Sequence, residues 1–144
     1  MPSPLFIGAD HAGFSLKERL VAELKKKKIP VKDLTPNFKE GDDYPAIGRA
    51  LARRVTKTKG SRGILVCGSG VGMTIAANRV KQARAVLAST PAQIERARID
   101  DDVNILAMSG WHMPITSAMN VIQVFLKTDA SKAARHKRRV KQLG

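Results

Sequence analysis

The chain has 144 residues, 43% of them hydrophobic, which fits one globular domain spanning residues 1–144. No apolar run is long enough to cross a bilayer, and the start of the chain, Met1–Pro4, lacks the features of a signal peptide. The single cysteine excludes an intrachain disulfide, so the composition does not require an oxidising compartment. We therefore expect a cytoplasmic protein.

The formal net charge of +14 is large for a chain of this length. Such a surface either binds nucleic acid by neutralising phosphates or reflects a general demand for solubility. The positive residues are spread over several clusters, and only four Phe, one Trp and one Tyr are available to stack on bases. Nucleic-acid binding is therefore a minor alternative.

Short apolar runs alternate with amphipathic stretches along the chain. In chain order, the first half predicts a strand at Leu5–Gly8, a helix at Phe14–Lys28, a strand at Val31–Leu34, a polar loop at 35–43, a helix opening at Asp43 and a basic loop at 56–62. The second half predicts a strand at Ile64–Cys67, a helix from Met73 to Ala83, a strand at Ala85–Ala88, a helix from Ser89 to Arg98, a strand at Val103–Met108, a helix from Pro114, a loop at 127–131 and a basic final helix. This alternation predicts the α/β class, in a three-layer α/β/α, Rossmann-like fold with a five-stranded parallel sheet.

The most informative stretch joins a buried strand to a helix through a glycine-rich turn. The only cysteine, Cys67, ends the strand, and Gly68, Gly70 and Gly72 follow at alternate positions. Backbone N–H groups of such a turn, beside a helix N-terminus, form a cradle for a phosphate or a developing oxyanion. A lone cysteine is more often an inert buried hydrophobe, but its place at the carboxyl end of a strand favours a functional thiol.

Three further segments are expected to gather at the same carboxyl edge of the sheet. Asp10 and His11 follow the first strand and suit sugar hydroxyls and phosphate, or serve as a helix cap and a surface histidine. Asp100–Asp102 precede the fifth strand and form either a solvated turn or partners for basic residues. Arg135 and Arg139 stand four residues apart on the final helix, so they either converge on one anion or line a solvated face.

Taken together, these segments resemble the ribose-5-phosphate isomerase B family, which also includes galactose-6-phosphate isomerase subunits. The resemblance covers nearly the whole chain, in order and without a large insertion. The segments that carry it are Gly8–Phe14, Asp43–Pro45, Gly63–Gly72, Ile75–Asn78, Asn104–Ala107 and Arg135–His136.

The resemblance implies an aldose–ketose isomerase of a phosphorylated sugar that uses neither metal nor cofactor. After ring opening, a base takes the C2 proton to give an enediolate, and the proton returns at C1. In the branch that this sequence matches the base is Cys67, whereas the other branch has Glu at the position of Met73. The adjacent helix N-terminus favours a thiolate, and the loop amides would stabilise the enediolate oxygens.

The resemblance also implies individual roles for the other site residues. The catalytic residues implied are Cys67, Ser69 and Asp100. The substrate-binding residues implied are Asp10, His11, Gly68, Gly70, Val71, Gly72, Asp101, Arg135 and Arg139. Asp10 would bind sugar hydroxyls, Ser69 would lie near the ring oxygen, and His11 would hold the phosphate together with the two arginines. Family members are dimers whose sites use both subunits, so we expect a homodimer or a dimer of dimers.

The sequence departs from the family pattern at two places. Asp100 and Asp101 stand where the family has His-Asn, whose His assists ring opening, and Trp111 stands where a phosphate-binding Arg is usual. These changes keep three alternatives open. The chain is a divergent isomerase of another sugar, a non-catalytic binding subunit, or a basic nucleic-acid-associated protein.

Overall fold

The computed structural model describes residues 3–144. Met1 and Pro2, which belong to the segment used for the signal-peptide prediction, lie outside the described residues. The elements are β1 (Leu5–Ala9), α1 (Phe14–Lys26), β2 (Lys32–Asp33), α2 (Tyr44–Lys57), β3 (Arg62–Cys67), α3 (Val71–Asn78), β4 (Ala85–Leu87), α4 (Pro91–Asp101), β5 (Ile105–Ser109), α5 (Ile115–Lys127) and α6 (Ala134–Leu143). No helix in this part of the chain is long and apolar enough to cross a membrane.

The five strands form one parallel sheet in the order β2-β1-β3-β5-β4. The three central strands β1, β3 and β5 bury both of their faces because helices cover the sheet on either side, whereas the edge strands β2 and β4 are partly exposed. One core cluster joins the sheet to α1, α4 and α5, around Leu20, Ile94 and Phe125. The other joins it to α2 and α3, around Leu51 and Met73. The predicted α/β fold is thereby confirmed.

Two predicted boundaries are corrected by the structure. The third helix ends at Asn78 rather than Ala83, because the Asn78 side chain pairs with both backbone groups of Ala85, at 2.8 and 2.9 Å, and holds the chain in a turn. The predicted basic loop at 56–62 is shorter, since α2 continues to Lys57 and β3 begins at Arg62.

Because all strands run in the same direction, the sheet has a carboxyl edge, where the strands end, and an amino edge, where they begin. Parallel strands end together, so the loops after β1, β3 and β5 meet at the carboxyl edge. Each helix then returns across the sheet and ends at the amino edge. The end of α4 shows this, because the Asp102 carbonyl accepts a hydrogen bond of 2.8 Å from Nε of Arg84, immediately before β4.

Candidate active site

The three loops at the carboxyl edge enclose a cleft of about 340 Å³. Its floor is formed by the end of β3 and the first turn of α3, and its walls come from the loops after β1 and β5 and from the start of α2. The residues that line it are Asp10, His11, Ala12, Tyr44, Cys67, Gly68, Ser69, Val71, Gly72, Ile75 and Trp111. The cleft thus contains the residues predicted for the site after β1 and in the glycine-rich turn after β3, except the buried Gly70.

Cys67 is the last residue of β3 and is 4% exposed. Its Sγ accepts a hydrogen bond of 3.2 Å from the backbone N–H of Gly70, which lies at the N-terminus of α3. Both the N–H group and the helix dipole stabilise negative charge on the sulfur. Cys67 therefore packs in the core around α2 and α3 and also lines the cleft, where a sulfur held in this way is suited to act as a base or a nucleophile.

The loop after Cys67 presents backbone amides to the cleft. Gly70 has φ +81°, a left-handed conformation that glycine adopts without strain and that starts α3. The N–H of Val71 donates to the Ser69 hydroxyl at 3.2 Å. The N–H groups of Gly72 and Met73 lie in the first helical turn and have no carbonyl partner in the described chain. Such donors stabilise an oxyanion that develops beside the sulfur.

The loop after β5 is tied directly to this glycine-rich loop. The N–H of Gly110 donates to the Cys67 carbonyl at 2.8 Å, and that of Trp111 donates to the Gly68 carbonyl at 3.1 Å. The Trp111 indole covers Gly68 so closely that a Cβ there would lie 2.4 Å from Cζ2. Trp111 is nonetheless 67% exposed, so most of the ring forms a wall of the cleft.

Asp10 follows β1 and is 5% exposed. Its Oδ1 accepts a hydrogen bond of 2.9 Å from the N–H of Gly13, while Oδ2 remains available to a ligand. Burial raises the pKa of this carboxyl, and the Gly13 amide opposes the shift in part. A carboxylate with one fixed oxygen and one free oxygen is suited to accept hydrogen bonds from sugar hydroxyls.

His11 is exposed on the cleft and is held by Asp42. Its backbone N–H donates to Asp42 Oδ1 at 2.7 Å, and its ring Nδ1 lies 3.1 Å from the same oxygen and 3.0 Å from the Asp42 carbonyl. These side-chain and backbone hydrogen bonds raise the pKa of His11 above its usual value. Because the pKa is raised, the His11 ring stays protonated to higher pH, and its positive charge favours an anionic group on the ligand.

Sequence reasoning missed several residues that line or support the cleft. Asp42 lies 31 positions from the histidine that it binds, and only its place beside the quoted segment at Asp43 pointed to it. Tyr44 lies in one of the segments that carry the family resemblance, but no role was predicted for it. Its ring covers Gly72 so closely that a Cβ there would lie 2.4 Å from it. Ile75 is 52% exposed at the mouth of the cleft and gave no chemical signal.

The prediction that the acidic segment and the arginines gather at the carboxyl edge of the same chain is wrong. Asp100 and Asp101 form the last turn of α4 rather than a free turn, and Arg135 and Arg139 lie on α6, which packs against α4. All four therefore lie toward the amino edge, and none lines the cleft around Cys67. The physical reason is that Asp100 and Asp101 come just before β5. All strands of a parallel sheet begin at its amino edge, so a segment that precedes a strand lies at that edge.

The acidic residues and the arginines differ in whether they have an ion-pair partner within the chain. Nη2 of Arg96 donates to both carboxylate oxygens of Asp100, at 2.7 and 2.9 Å, and Nε2 of His136 lies 3.6 Å away. Arg135 and Arg139 are exposed and make no ion pair within residues 3–144. The two arginines are thus available to an anion outside their own chain.

A metal ion has no site among the described residues. No three His, Cys, Asp or Glu side chains of residues 3–144 are grouped closely enough to hold one. The donors around the cleft are instead a thiol, a carboxylate, an imidazole and backbone amides, which is a set suited to moving protons and holding oxyanions.

Comparisons with known proteins show the family to which the chain belongs. A model of the Ribose/Galactose Isomerase family matches residues 5–143. The chain is 36% identical over 137 residues to the ribose-5-phosphate isomerase B of Mycobacterium tuberculosis, covering 94% of this chain and 85% of the relative. A solved ribose 5-phosphate isomerase of Thermotoga maritima superposes with a TM-score of 0.92 at 34% identity, covering 98% of this chain and 97% of the other.

A second solved structure carries a ligand. It is the ribose-5-phosphate isomerase B of Mycoplasma genitalium with bound ribulose-5-phosphate, and it superposes with a TM-score of 0.89 at 35% identity, covering 99% of this chain and 95% of that one. Fold and site together define an α/β isomerase of sugar phosphates. The chain belongs to the ribose/galactose isomerase family, so the resemblance inferred from its sequence is confirmed.

Proposed function

We propose that the chain interconverts ribose 5-phosphate and ribulose 5-phosphate, with Cys67 as the base that moves the proton between C2 and C1. The aldose–ketose isomerase class follows from family membership. The observation that carries the assignment to Cys67 is its Sγ, which accepts the Gly70 amide at 3.2 Å on the floor of the carboxyl-edge cleft.

In the proposed reaction the Cys67 thiolate removes the proton from C2 of the open-chain aldose. The C2–H electron pair forms the C1–C2 double bond, and the carbonyl electrons move onto O1. The resulting enediolate oxygen is stabilised by the amides of Gly72 and Met73, because charge develops beside the first turn of α3. The proton of the O2 hydroxyl then moves to O1, and the thiol returns its proton to C1 while the O2 electron pair forms the C2 carbonyl, which regenerates the thiolate.

The remaining cleft residues bind the sugar in this proposal. Asp10 accepts hydrogen bonds from hydroxyl groups through its free Oδ2, and His11 faces the phosphate as an imidazolium. Ser69 lies near the ring oxygen, with its hydroxyl anchored by the N–H of Val71. Gly68 and Gly70 keep the loop close enough to the ligand for its amides to reach it.

The proposal also requires a second copy of the chain. Asp100, Asp101, Arg135 and Arg139 lie away from their own cleft, so they reach a cleft only when they belong to another protomer. The exposed, unpaired arginines and the exposed apolar side chains at the cleft mouth, such as Ile75 at 52%, support this arrangement. We therefore propose a homodimer or a dimer of dimers in which each site combines both subunits.

A mixing experiment tests the thiol and the shared site together. At a substrate concentration well below the native KM, the Cys67→Ala homodimer should be nearly inactive and the Arg139→Ala homodimer should turn over about tenfold to a hundredfold more slowly than the native protein. When the two are unfolded together and refolded, mixed dimers contain one cleft with both wild-type residues, and turnover should rise above the average of the two homodimers. If the turnover of the mixture does not exceed that average, the two residues do not belong to one shared site.

The substrate itself is tested by a screen of pentose and hexose phosphates with product detection. Efficient turnover of a different sugar would support the divergent-isomerase alternative, and binding without turnover would support a non-catalytic subunit. We also propose that residues 1–144 act as one domain in the cytoplasm, which limited proteolysis and cell fractionation would check.

A further inference from the structure

A second cavity lies at the amino edge of the sheet, on the far side from Cys67. It has a volume of about 400 Å³, somewhat larger than the cleft. Its walls are the end of α2 with the following turn, the starts of β3, β4 and β5, and the last turn of α6. The proposed isomerase reaction uses none of these walls.

The side chains that line this cavity are strongly unbalanced in charge. Five of them are cationic and a single one is acidic. The cations are Lys59, Arg62, Arg84, Arg98 and Lys141, and the acid is Asp102. That one carboxylate is already shared, since it accepts from Nη1 of Arg98 at 2.8 Å and lies 3.4 Å from Nη2 of Arg84.

Two of the arginines are held rigidly by backbone carbonyls. Arg98 is 3% exposed, and it donates from Nε to Thr128 at 2.9 Å and from Nη1 to Val103 at 2.6 Å. Arg62 donates from Nη1 to the carbonyls of Phe125 and Leu126. Within residues 3–144, Nη2 of Arg98 and both Nε and Nη2 of Arg62 have no acceptor. Anchored guanidinium groups with free N–H donors are prepared to bind an anion.

Two further features distinguish the wall of this cavity. Burial lowers the pKa of Arg62 and the neighbouring Arg98 adds to the shift, whereas Asp102 and Asp129 oppose it. Two non-glycine residues on the cavity wall, Gln82 and Asp102, have φ of +71° and +47°. Left-handed backbone is uncommon at such residues, and Asp102 adopts it as the C-cap residue of α4.

We propose that this amino-edge cavity binds a compact, multiply charged phosphate compound such as a diphosphate. Five cations against one shared carboxylate call for more than one negative charge. A volume of about 400 Å³ lies within the range of small-molecule sites, roughly 300–1,000 Å³. The concave shape suits a small anion better than the extended backbone of a nucleic acid.

The cavity is separate from the arginines that are proposed to bind the phosphate of the isomerase substrate. Arg135 and Arg139 lie on α6 as well, but neither lines the cavity. The proposal therefore does not depend on the proposed function, and the two are tested apart. The Arg135→Ala/Arg139→Ala double variant serves as the background, because it removes the arginines that a phosphate would find in the isomerase site.

Inorganic pyrophosphate is the probe, and its binding is measured by isothermal titration calorimetry in that background. The test variant adds Lys59→Gln and Lys141→Gln, two exposed lysines whose loss leaves the arginine anchors in place. The matched control adds Lys25→Gln and Lys57→Gln, which remove the same charge from exposed helix ends outside the cavity. A charged hydrogen bond contributes enough that the test variant should bind about tenfold more weakly or worse.

The expected result is saturable binding that the control retains within about twofold, with a rise in melting temperature on adding pyrophosphate. Equal weakening of pyrophosphate binding in the test and control variants would overturn the proposal, because binding would then depend on the net charge of the protein rather than on the cavity. Undetectable pyrophosphate binding in the background would overturn it too. Tighter binding of a single-stranded RNA than of pyrophosphate, through the same two lysines, would assign the cavity to nucleic acid and overturn it as well.

Discussion

The two edges of the sheet carry opposite kinds of chemistry although the same strands build both. At the carboxyl edge the reactive groups are few, buried and individually placed: Cys67 at 4% exposure and Asp10 at 5%. At the amino edge the charged groups are many, and arginines such as Arg98 are braced by backbone carbonyls. The end of a strand thus holds one side chain at a fixed place, whereas the helix ends and strand starts at the amino edge bring several charged side chains together.

The largest effect is expected at the carboxyl edge, from Cys67→Ala. General acid–base catalysis contributes about 10²–10⁴-fold, so kcat should fall by at least that range while the fold is retained. Steady-state kinetics and the melting temperature check this. Cys67→Ser keeps the size of the side chain but replaces the base, and it should be equally impaired. An unchanged kcat in either variant would exclude the thiol as the base.

The next largest effect concerns the arginines that lie away from their own cleft. Arg139→Ala should weaken binding of a phosphorylated sugar by about tenfold to a hundredfold, because a charged hydrogen bond contributes about 1.5–3 kcal/mol. Binding of the same sugar without its phosphate should hardly change. Ligand titrations with both sugars measure the contrast, and equal losses would make Arg139 a surface or interface charge.

A smaller gain is expected from Asp100→His combined with Asp101→Asn. A carboxylate accepts a proton readily but donates one poorly near pH 7, and Asp100 is also engaged by Arg96 at 2.7 Å. We therefore expect slow ring opening of ribose 5-phosphate in the native protein and several-fold faster turnover in the double variant. Native turnover at about 10 per second or more would contradict this view of Asp100.

A pH shift is expected from Asp42→Asn. Asp42 raises the pKa of His11 through its hydrogen bonds, so His11 stays protonated to higher pH and loses its favourable charge only as pH rises through that raised pKa. In the variant the pKa should fall, and binding of the phosphorylated sugar should weaken at a lower pH than in the native protein. Titration of the His11 ring by NMR and affinity across pH measure both effects.

Asp43→Asn is the matched control for that shift. Asp43 is the adjacent exposed acid and makes no hydrogen bond to His11. Its removal changes the net charge equally and should leave the His11 titration nearly unmoved. An identical shift in both variants would mean that general electrostatics, rather than the Asp42 contact, sets the charge of His11.

The smallest effect is expected for Arg96→Ala, which removes the ion pair to Asp100. The Arg96 side chain is 62% exposed, and exposed i,i+4 pairs on helices contribute only about 0.3–0.5 kcal/mol. Chemical denaturation should detect a loss of that order or none. A much larger loss would show that the end of α4 is held by Arg96 rather than by the buried Arg98.

The fold class and the position of the thiol at the end of a strand could be predicted from the amino-acid sequence. Alternating apolar and amphipathic runs predicted the parallel sheet, because strands buried on both faces and helices with one apolar face have different periods. The order strand, Cys67, alternating glycines, helix placed the thiol beside a helix N-terminus, and both are local consequences of the chain. Asp10 and His11 followed in the same way, since they come directly after β1.

Contacts between residues that are far apart in the chain depend on the tertiary structure. The contact between His11 and Asp42 joins loops 31 positions apart, and the contact of Trp111 with Gly68 depends on the neighbouring positions of β3 and β5 in the sheet. The sequence suggested that Asp100 and Arg135 join the thiol, but α4 carries Asp100 to the amino edge of its own subunit, and Arg135 lies on α6, which packs against α4. Periodicity specifies which face of an element is buried, whereas the path of the chain through the sheet specifies which ends of the elements come together.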